Sequence, residues 1–316
     1  MSLNSWLINH RFGTADKKRD AGRVRPEGLS CEFNIPYVQM TDSELQKAIK
    51  RRDPSAQLLD IYYPDPSRTK APDKGFPVLV NIHGGAWVYG SKYVYEYYLM
   101  DMALRGFFVI NFSYRLAPKH KYPAQLVDIN SVLMWLFENG EKYPCDLSRV
   151  FMMGDSAGAH LASMYACAKS SQAYQTLISS AIPTLASIDI RALALTCGSY
   201  TMSWDNLCLR DLLKSRSEMN LVCPLDYITD AFPRCFVMTS DGDFLRKDAR
   251  HLLDKLNAHN IPHKFALYSK EKTYDADPGD TLPSSGDVLY HVFHCDFGTE
   301  SAIRANNDIA EYLLSL

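Results

Sequence analysis

Gly154-Asp155-Ser156-Ala157-Gly158 is the stretch whose reading decides the architecture. Ahead of it Val150-Phe151-Met152-Met153 is an unbroken apolar run, and Ala157 to Ala168 behind it has the composition of a buried helix. A strand that turns at once into a helix, with a serine at the corner, holds that hydroxyl up at the end of a sheet. Small residues at 154, 157 and 158 fit this reading, because such a turn is strained and neighbouring backbone passes close to it.

Upstream, His83-Gly84-Gly85-Ala86-Trp87 directly follows the apolar run Phe76–Ile82. A strand that opens into a glycine pair leaves backbone N–H groups free to converge on one point. Acyl transfer needs such donors, since the attacked carbonyl oxygen becomes an anion. The expected oxyanion donors are the N–H groups of Gly84 and Gly85, with that of Ala157, the residue after the serine. Trp87 and Tyr89 follow these glycines, and Trp87 is the better candidate for a substrate-pocket wall.

With both motifs in this order, the chain resembles an α/β-hydrolase, and more narrowly the hormone-sensitive-lipase-like carboxylesterases. A third stretch adds to the resemblance: Tyr114-Arg115-Leu116-Ala117-Pro118, continuing to Tyr122-Pro123-Ala124 and Asp128. One departure is visible, because Ala86 stands where that family usually has a third glycine. The resemblance implies a mostly parallel central sheet with helices on both faces and a small cap above the active site.

Composition sets the outer bounds. A chain of 316 residues that is 47% hydrophobic can bury a large core, and α/β folds of this length often form one domain. A net charge of −2 gives no electrostatic footprint for nucleic acid or an anionic membrane. No apolar run approaches the roughly 20 residues of a membrane span. Residues 1–20 lack the apolar core of a signal peptide. The eight cysteines show no C-x-x-C spacing, so reduced thiols in a cytoplasm are expected.

Along the chain, strand-like runs at Cys31–Val38, Gln57–Tyr63, Phe76–Ile82, Phe107–Ser113, Val150–Met153, Ala192–Cys197, Cys235–Ser240 and Lys264–Tyr268 alternate with helical patterns. The helices are expected at Tyr93–Arg105, Pro123–Glu138, Ala157–Ala168, Leu245–His259 and Ser301–Leu314. That alternation argues a parallel sheet within a single domain spanning 1–316. Two segments outside it, about 1–50 (with a helix at Thr41–Arg51) and 200–227 (with one near Leu207–Met219), are the cap elements that the resemblance implies. A third, 270–288, is an extended loop ahead of the last helix.

A serine hydroxyl becomes a strong nucleophile only when an imidazole takes its proton and a carboxylate holds that imidazole. In this fold the chain order is serine, acid, histidine. Thr239-Ser240-Asp241-Gly242-Asp243-Phe244-Leu245-Arg246 occupies the place of the acid. The resemblance selects Asp243, with Asp241 as the alternative. For the base it selects His291 over His294 in Tyr290-His291-Val292-Phe293-His294. Asp155 is read as a brace for the turn, His83 as an orienting group for the glycine loop, and His160 as a satisfied buried polar group.

The reaction implied is hydrolysis of short-chain acyl esters through Ser156, His291 and Asp243, with no cofactor and no metal. A zinc reading of His291, His294, Cys295 and Asp296 with Asp241 and Asp243 lacks a second spaced pair. Two rivals stand beside the esterase: an arylformamidase resembling kynurenine formamidase, and a non-catalytic ligand-binding relative. The partner expected is a small acyl-ester substrate, and the oligomeric state is not legible.

Overall fold

The computed structural model describes residues 2–276 and 287–316 of the chain. In chain order its main elements are α1 (Leu3–Asp20), β1 (Leu29–Pro36), α2 (Asp42–Arg51), β2 (Leu58–Pro64), β3 (Phe76–Ile82), α3 (Glu96–Leu104) and β4 (Phe108–Phe112). There follow α4 (Ala124–Asn139), β5 (Cys145–Asp155), α5 (Ala157–Ser170), α6 (Gln172–Ile178), β6 (Ile190–Thr196) and α7 (Leu207–Leu212). The last are β7 (Arg234–Ser240), α8 (Arg246–Ala258), β8 (His263–Tyr268), β9 (Thr273–Tyr274) and α9 (Glu300–Leu314).

The strands form one nine-stranded sheet in the order β1-β2-β4-β3-β5-β6-β7-β8-β9. Every pairing from β4 through β3 to β8 is parallel, while β1, β2 and β9 are joined antiparallel at the edges. Side chains along a strand alternate between faces, and the core follows that alternation. Val78, Val80, Val150 and Met152 pack into one core, with Leu126 of α4, Leu161 of α5 and Leu252 of α8. Leu79, Val109, Phe151 and Met153 pack into the other, with Leu99 of α3 and Ile309 of α9. This is the α/β-hydrolase fold, with both faces of a mostly parallel sheet covered.

The first fifty residues divide differently from the expectation. Cys31 and its neighbours pair with β2 as an edge strand, so β1 belongs to the sheet and not to a cap. Helix α1 instead lies against the middle of the chain: Ser5 Oγ donates to Asp211 of α7 at 2.8 Å, and Asn9 Nδ2 donates to the Val88 carbonyl at 3.2 Å. The segment expected as one helix near 207–219 is α7 followed by 3-10 turns from Arg216. Of the expected loop 270–288, Thr273–Tyr274 forms β9, and residues 277–286 lie outside the described residues. Among the described residues no helix is long and apolar enough to cross a membrane. None of the eight cysteines is joined in a disulfide among the described residues.

Candidate active site

Ser156 stands between β5 and α5, at the carboxyl end of a central strand. Its φ of 53° and ψ of −117° are a conformation that a residue with a Cβ rarely adopts. The turn is held from several sides: Ser156 N–H donates to the Thr196 carbonyl at 3.0 Å, and its own carbonyl accepts from His160 N–H at 3.1 Å. The tightness shows at Gly158, where a Cβ would sit 1.9 Å from the Ile82 carbonyl oxygen. The side chain makes no capping bond to α5 and no hydrogen bond among the described residues, so its hydroxyl is uncommitted.

Asp243 and His291 meet, with Nδ1 of the ring 2.8 Å from Oδ1 of the acid. The acid is buried and fully engaged. Its Oδ1 also accepts Leu245 N–H at 2.9 Å, and its Oδ2 accepts the Thr239 hydroxyl at 2.8 Å. Burial by itself raises a carboxyl pKa, but the bond to His291 and its charge, with the two other donors, bring Asp243 below the ordinary value. Asp241 is a loop brace, since its Oδ1 accepts Leu289 N–H at 2.8 Å. His294 is also elsewhere: its Nε2 is 3.1 Å from Thr196 Oγ1, and burial pushes its pKa down to about 3.

His291 and Ser156 lie at the same end of the sheet, linked through the tip of β6. Thr196 accepts the Ser156 N–H, and the thiol of Cys197, the next residue, groups within 4.8 Å with donor atoms of Asp243 and His291. No hydrogen bond joins Ser156 directly to His291 among the described residues. The imidazole keeps 17% of its side-chain surface exposed, with the Phe244 ring 4.5 Å from it.

The glycine loop corrects one expectation. Gly84 N–H is not open to a ligand, because it already donates to Asp155 Oδ1 and to the Tyr95 hydroxyl, each at 3.1 Å. Gly84 is needed for closeness instead, as a Cβ there would fall 2.2 Å from Asp155 Oδ2. The next two amides, of Gly85 and Ala86, have no partner among the described residues, and neither does that of Ala157 at the start of α5. Gly85 sits at φ 109° and Ala86 at φ 52°, so the backbone turns at both. The unpartnered pair of loop amides, Gly85 and Ala86, is therefore one residue onward from the expected Gly84 and Gly85. Counting which N–H the buried Asp155 consumes was the signal that motif position alone did not supply.

Asp155 completes its clamp through Oδ2, which accepts the Tyr95 hydroxyl at 2.7 Å. Burial raises this carboxyl to about 6, against the lowering effect of Tyr95, His291 and the Gly84 N–H. Tyr95 was not singled out in the sequence, where it is one tyrosine in a cluster at 93–98. His83 stacks on Tyr114 with ring centroids 4.0 Å apart, and Tyr114 donates to the His83 carbonyl at 2.9 Å. Arg115 pairs with buried Asp128 at 2.8 Å, and Ala117 N–H donates to the Trp87 carbonyl at 3.0 Å. The motif at 114–128 thus buttresses the glycine loop from beneath.

Trp87 is not a pocket wall. It is only 2% exposed, and its indole N–H donates to His160 Nδ1 at 3.1 Å. His160 Nε2 in turn lies 2.8 Å from the Val222 carbonyl. That ring is satisfied at both nitrogens, and burial holds its pKa down to about 4.

Residues 59–248 match the family model described as BD-FAE, a span that contains the glycine loop, the serine turn and Asp243. The chain belongs to the BD-FAE family. Among curated proteins, this BD-FAE member is 31% identical over 163 residues to Esterase LipC of Mycobacterium tuberculosis, covering 49% of this chain and 40% of that one. It is 40% identical over 114 residues to the arylacetamide deacetylase of Bos taurus, covering 34% of this chain and 27% of that one. The chain therefore spans two-fifths or less of the length of these two relatives. Over nearly its whole length it shares a fold with Esterase B from Lactobacillus rhamnosis, with a TM-score of 0.80, 23% identity, and coverage of 99% of this chain and 93% of that one. The likeness to hormone-sensitive-lipase-like carboxylesterases read from the motifs agrees with these matches.

Proposed function

We propose that this BD-FAE member is a carboxylic ester hydrolase, with Ser156 as nucleophile, His291 as general base and Asp243 as the acid that orients it. The observation that carries the reading is the 2.8 Å bond between Asp243 and His291 at the sheet end that bears the strained Ser156 turn. It is supported by the three unpartnered amides of Gly85, Ala86 and Ala157, which form the oxyanion site. Relatives named esterase and arylacetamide deacetylase agree with acyl-transfer chemistry.

In the first step Ser156 Oγ attacks the ester carbonyl while His291 Nε2 takes its proton. Asp243 accepts the Nδ1–H bond and stabilises the imidazolium. The carbonyl oxygen, now an anion, is held by the three amides. His291 then protonates the leaving alcohol, and the same ring activates the water that clears the acyl-enzyme. The contact between Ser156 and His291 closes as substrate arrives, since such bonds tighten in the complex.

Short-chain acyl esters are the substrate class that the family resemblance implies. A cavity of about 520 Å3, lined by Ser5, Asn9, Val88, Leu116 and Ala117, lies against α1 just past the glycine loop, and neither Ser156 nor His291 lines it. In this reading α1 and α7 form the cap.

The test is a panel of p-nitrophenyl esters of increasing chain length with N-formylkynurenine alongside. Turnover of short esters, lost in Ser156→Ala, supports the proposal. Preference for the formamide favours the arylformamidase reading. A folded protein whose Ser156 stays unlabelled by a fluorophosphonate would overturn both in favour of a binding relative.

A further inference from the structure

The geometry points to a second ligand for this corner of the molecule: a thiophilic divalent cation, Zn2+ or Cd2+, held by Cys197 Sγ, the Asp243 carboxylate and His291 Nδ1. These donors come from three separate places, the tip of β6, the loop after β7 and the segment before α9. All lie within 4.8 Å of one another. The zinc set that was weighed and set aside from the sequence does not assemble: Asp241 is bound to Leu289, His294 faces Thr196, and Asp296 pairs with Arg23 at 2.9 Å. Cys197, in the sequence only the end of a strand-like run, stands with Asp243 and His291 instead.

Thiolate, imidazole and carboxylate are the usual zinc donors, at about 2.0–2.3 Å from the ion, which sets tetrahedral edges of about 3.3–3.7 Å. The group needs to close by roughly one ångström to reach that geometry. Cys197 also holds a left-handed φ of 48°, a strained conformation for a residue with a Cβ and one concentrated at functional positions. Binding releases the thiol proton to solvent and shifts the ring proton from Nδ1 to Nε2, so that two metal–ligand bonds form. Asp243 supplies the third ligand and a water the fourth, with one proton released in all. No oxidant or reductant takes part.

The consequence is inhibition, and that part rests on the proposed esterase reading. A cation on Nδ1 removes the bond to Asp243 and leaves Nε2 carrying the ring proton, with no lone pair to accept one from Ser156. The ion thus disarms the base without touching Ser156.

The test uses the full chain carrying Ser156→Ala, so it needs no turnover. Calorimetric titration with CdCl2 is expected to show one tight site, accompanied by the ultraviolet charge-transfer band of a cadmium thiolate. Adding Cys197→Ala removes a ligand, so that site weakens by more than the about 10- to 100-fold that loss of an outer-shell partner costs. The other seven cysteines remain in both proteins, so the difference isolates Cys197. An unchanged site and band in the Cys197→Ala protein overturn the proposal. If that variant does not fold, His291→Ala in the Ser156→Ala background takes its place, and undiminished cadmium affinity there overturns it equally. In the wild-type enzyme, cadmium inhibition reversed by EDTA is the separate catalytic arm.

Discussion

Asp155 and Gly84, 71 residues apart, are joined by a 3.1 Å hydrogen bond that ties the glycine loop to the serine turn. Because burial raises Asp155 from 3.8 to about 6, the folded chain holds this proton more tightly than the unfolded one. Its contribution to stability is complete below pH about 4 and is lost as pH rises through about 6, a change on the order of 3 kcal/mol. Asp155→Asn keeps an oxygen for Gly84 and removes the charge, so it gains stability relative to wild type between pH 4 and 7. Asp155→Ala leaves Gly84 N–H with the Tyr95 hydroxyl alone and takes away the acceptor of that buried hydroxyl, at a cost of about 1–3 kcal/mol. Urea unfolding at pH 4.5 and 7.5 separates the two, and parallel curves for wild type and Asp155→Asn would refute the account.

Under the proposed mechanism, Asp243→Asn should be milder than the usual loss of a triad acid. Leu245 N–H and the His291 Nδ1–H both require an acceptor at the Oδ1 position, while the Thr239 hydroxyl can reverse to accept at the other. The asparagine oxygen therefore stays against His291 and the tautomer is kept, so only charge is lost. Turnover should fall by less than the about 10,000-fold that accompanies a wrong tautomer. Steady-state kinetics decides it, and a loss of that full size would show that the ring had flipped its proton.

His160 is buried neutral, with its pKa lowered from 6.5 to about 4. The unfolded chain then binds the extra proton, so stability is lost as pH falls from 6.5 through about 4, by up to about 3 kcal/mol from this ring. Glutamine can accept from Trp87 and donate to Val222, so His160→Gln should flatten the acid limb between pH 6.5 and 4.5. Denaturation midpoints across that range measure it. A limb as steep as that of wild type would assign acid lability to His83 and His294 instead.

Gly158→Ala should destabilise the protein by about 3 kcal/mol or more, because the new Cβ would lie 1.9 Å from backbone of a central strand. Gly106→Ala, at φ 103° with nothing within 4 Å, meets only conformational strain of about 1–2 kcal/mol. Thermal melts of the pair give the contrast, and equal losses would mean that the serine turn has slack.

The central strands were legible because every second residue is apolar on both faces of the sheet, and their expected positions fall within a few residues of those found. The start of β5 was not, since Asp146, Ser148 and Arg149 break the apolar run while the backbone still pairs with β3 through Cys145 and Asp146. Helix α1 was missed for a stronger reason: its polarity is inverted. Leu3, Trp6 and Leu7 are 76%, 53% and 53% exposed, while Ser5, Asn9 and Asp16 face inward and hydrogen-bond. Periodicity marks helices whose apolar stripe is buried, and this one hides its polar side. At the site, spacing named a serine, two acids and two histidines. The resemblance selected Asp243 of the two acids, but the physical reason, a distant Leu289 amide that occupies Asp241, is not encoded locally.

Gly84 is pinned by Asp155 and Tyr95, and His83 by Tyr114, all on or beside the sheet. Among the described residues, the hydrogen bonds of α1 to this segment fall further on, at Val88 and Tyr89. The glycine loop is therefore held in register by the sheet side and not by α1. Descendants of such a chain can re-tailor α1 to admit new guests without realigning the apparatus underneath.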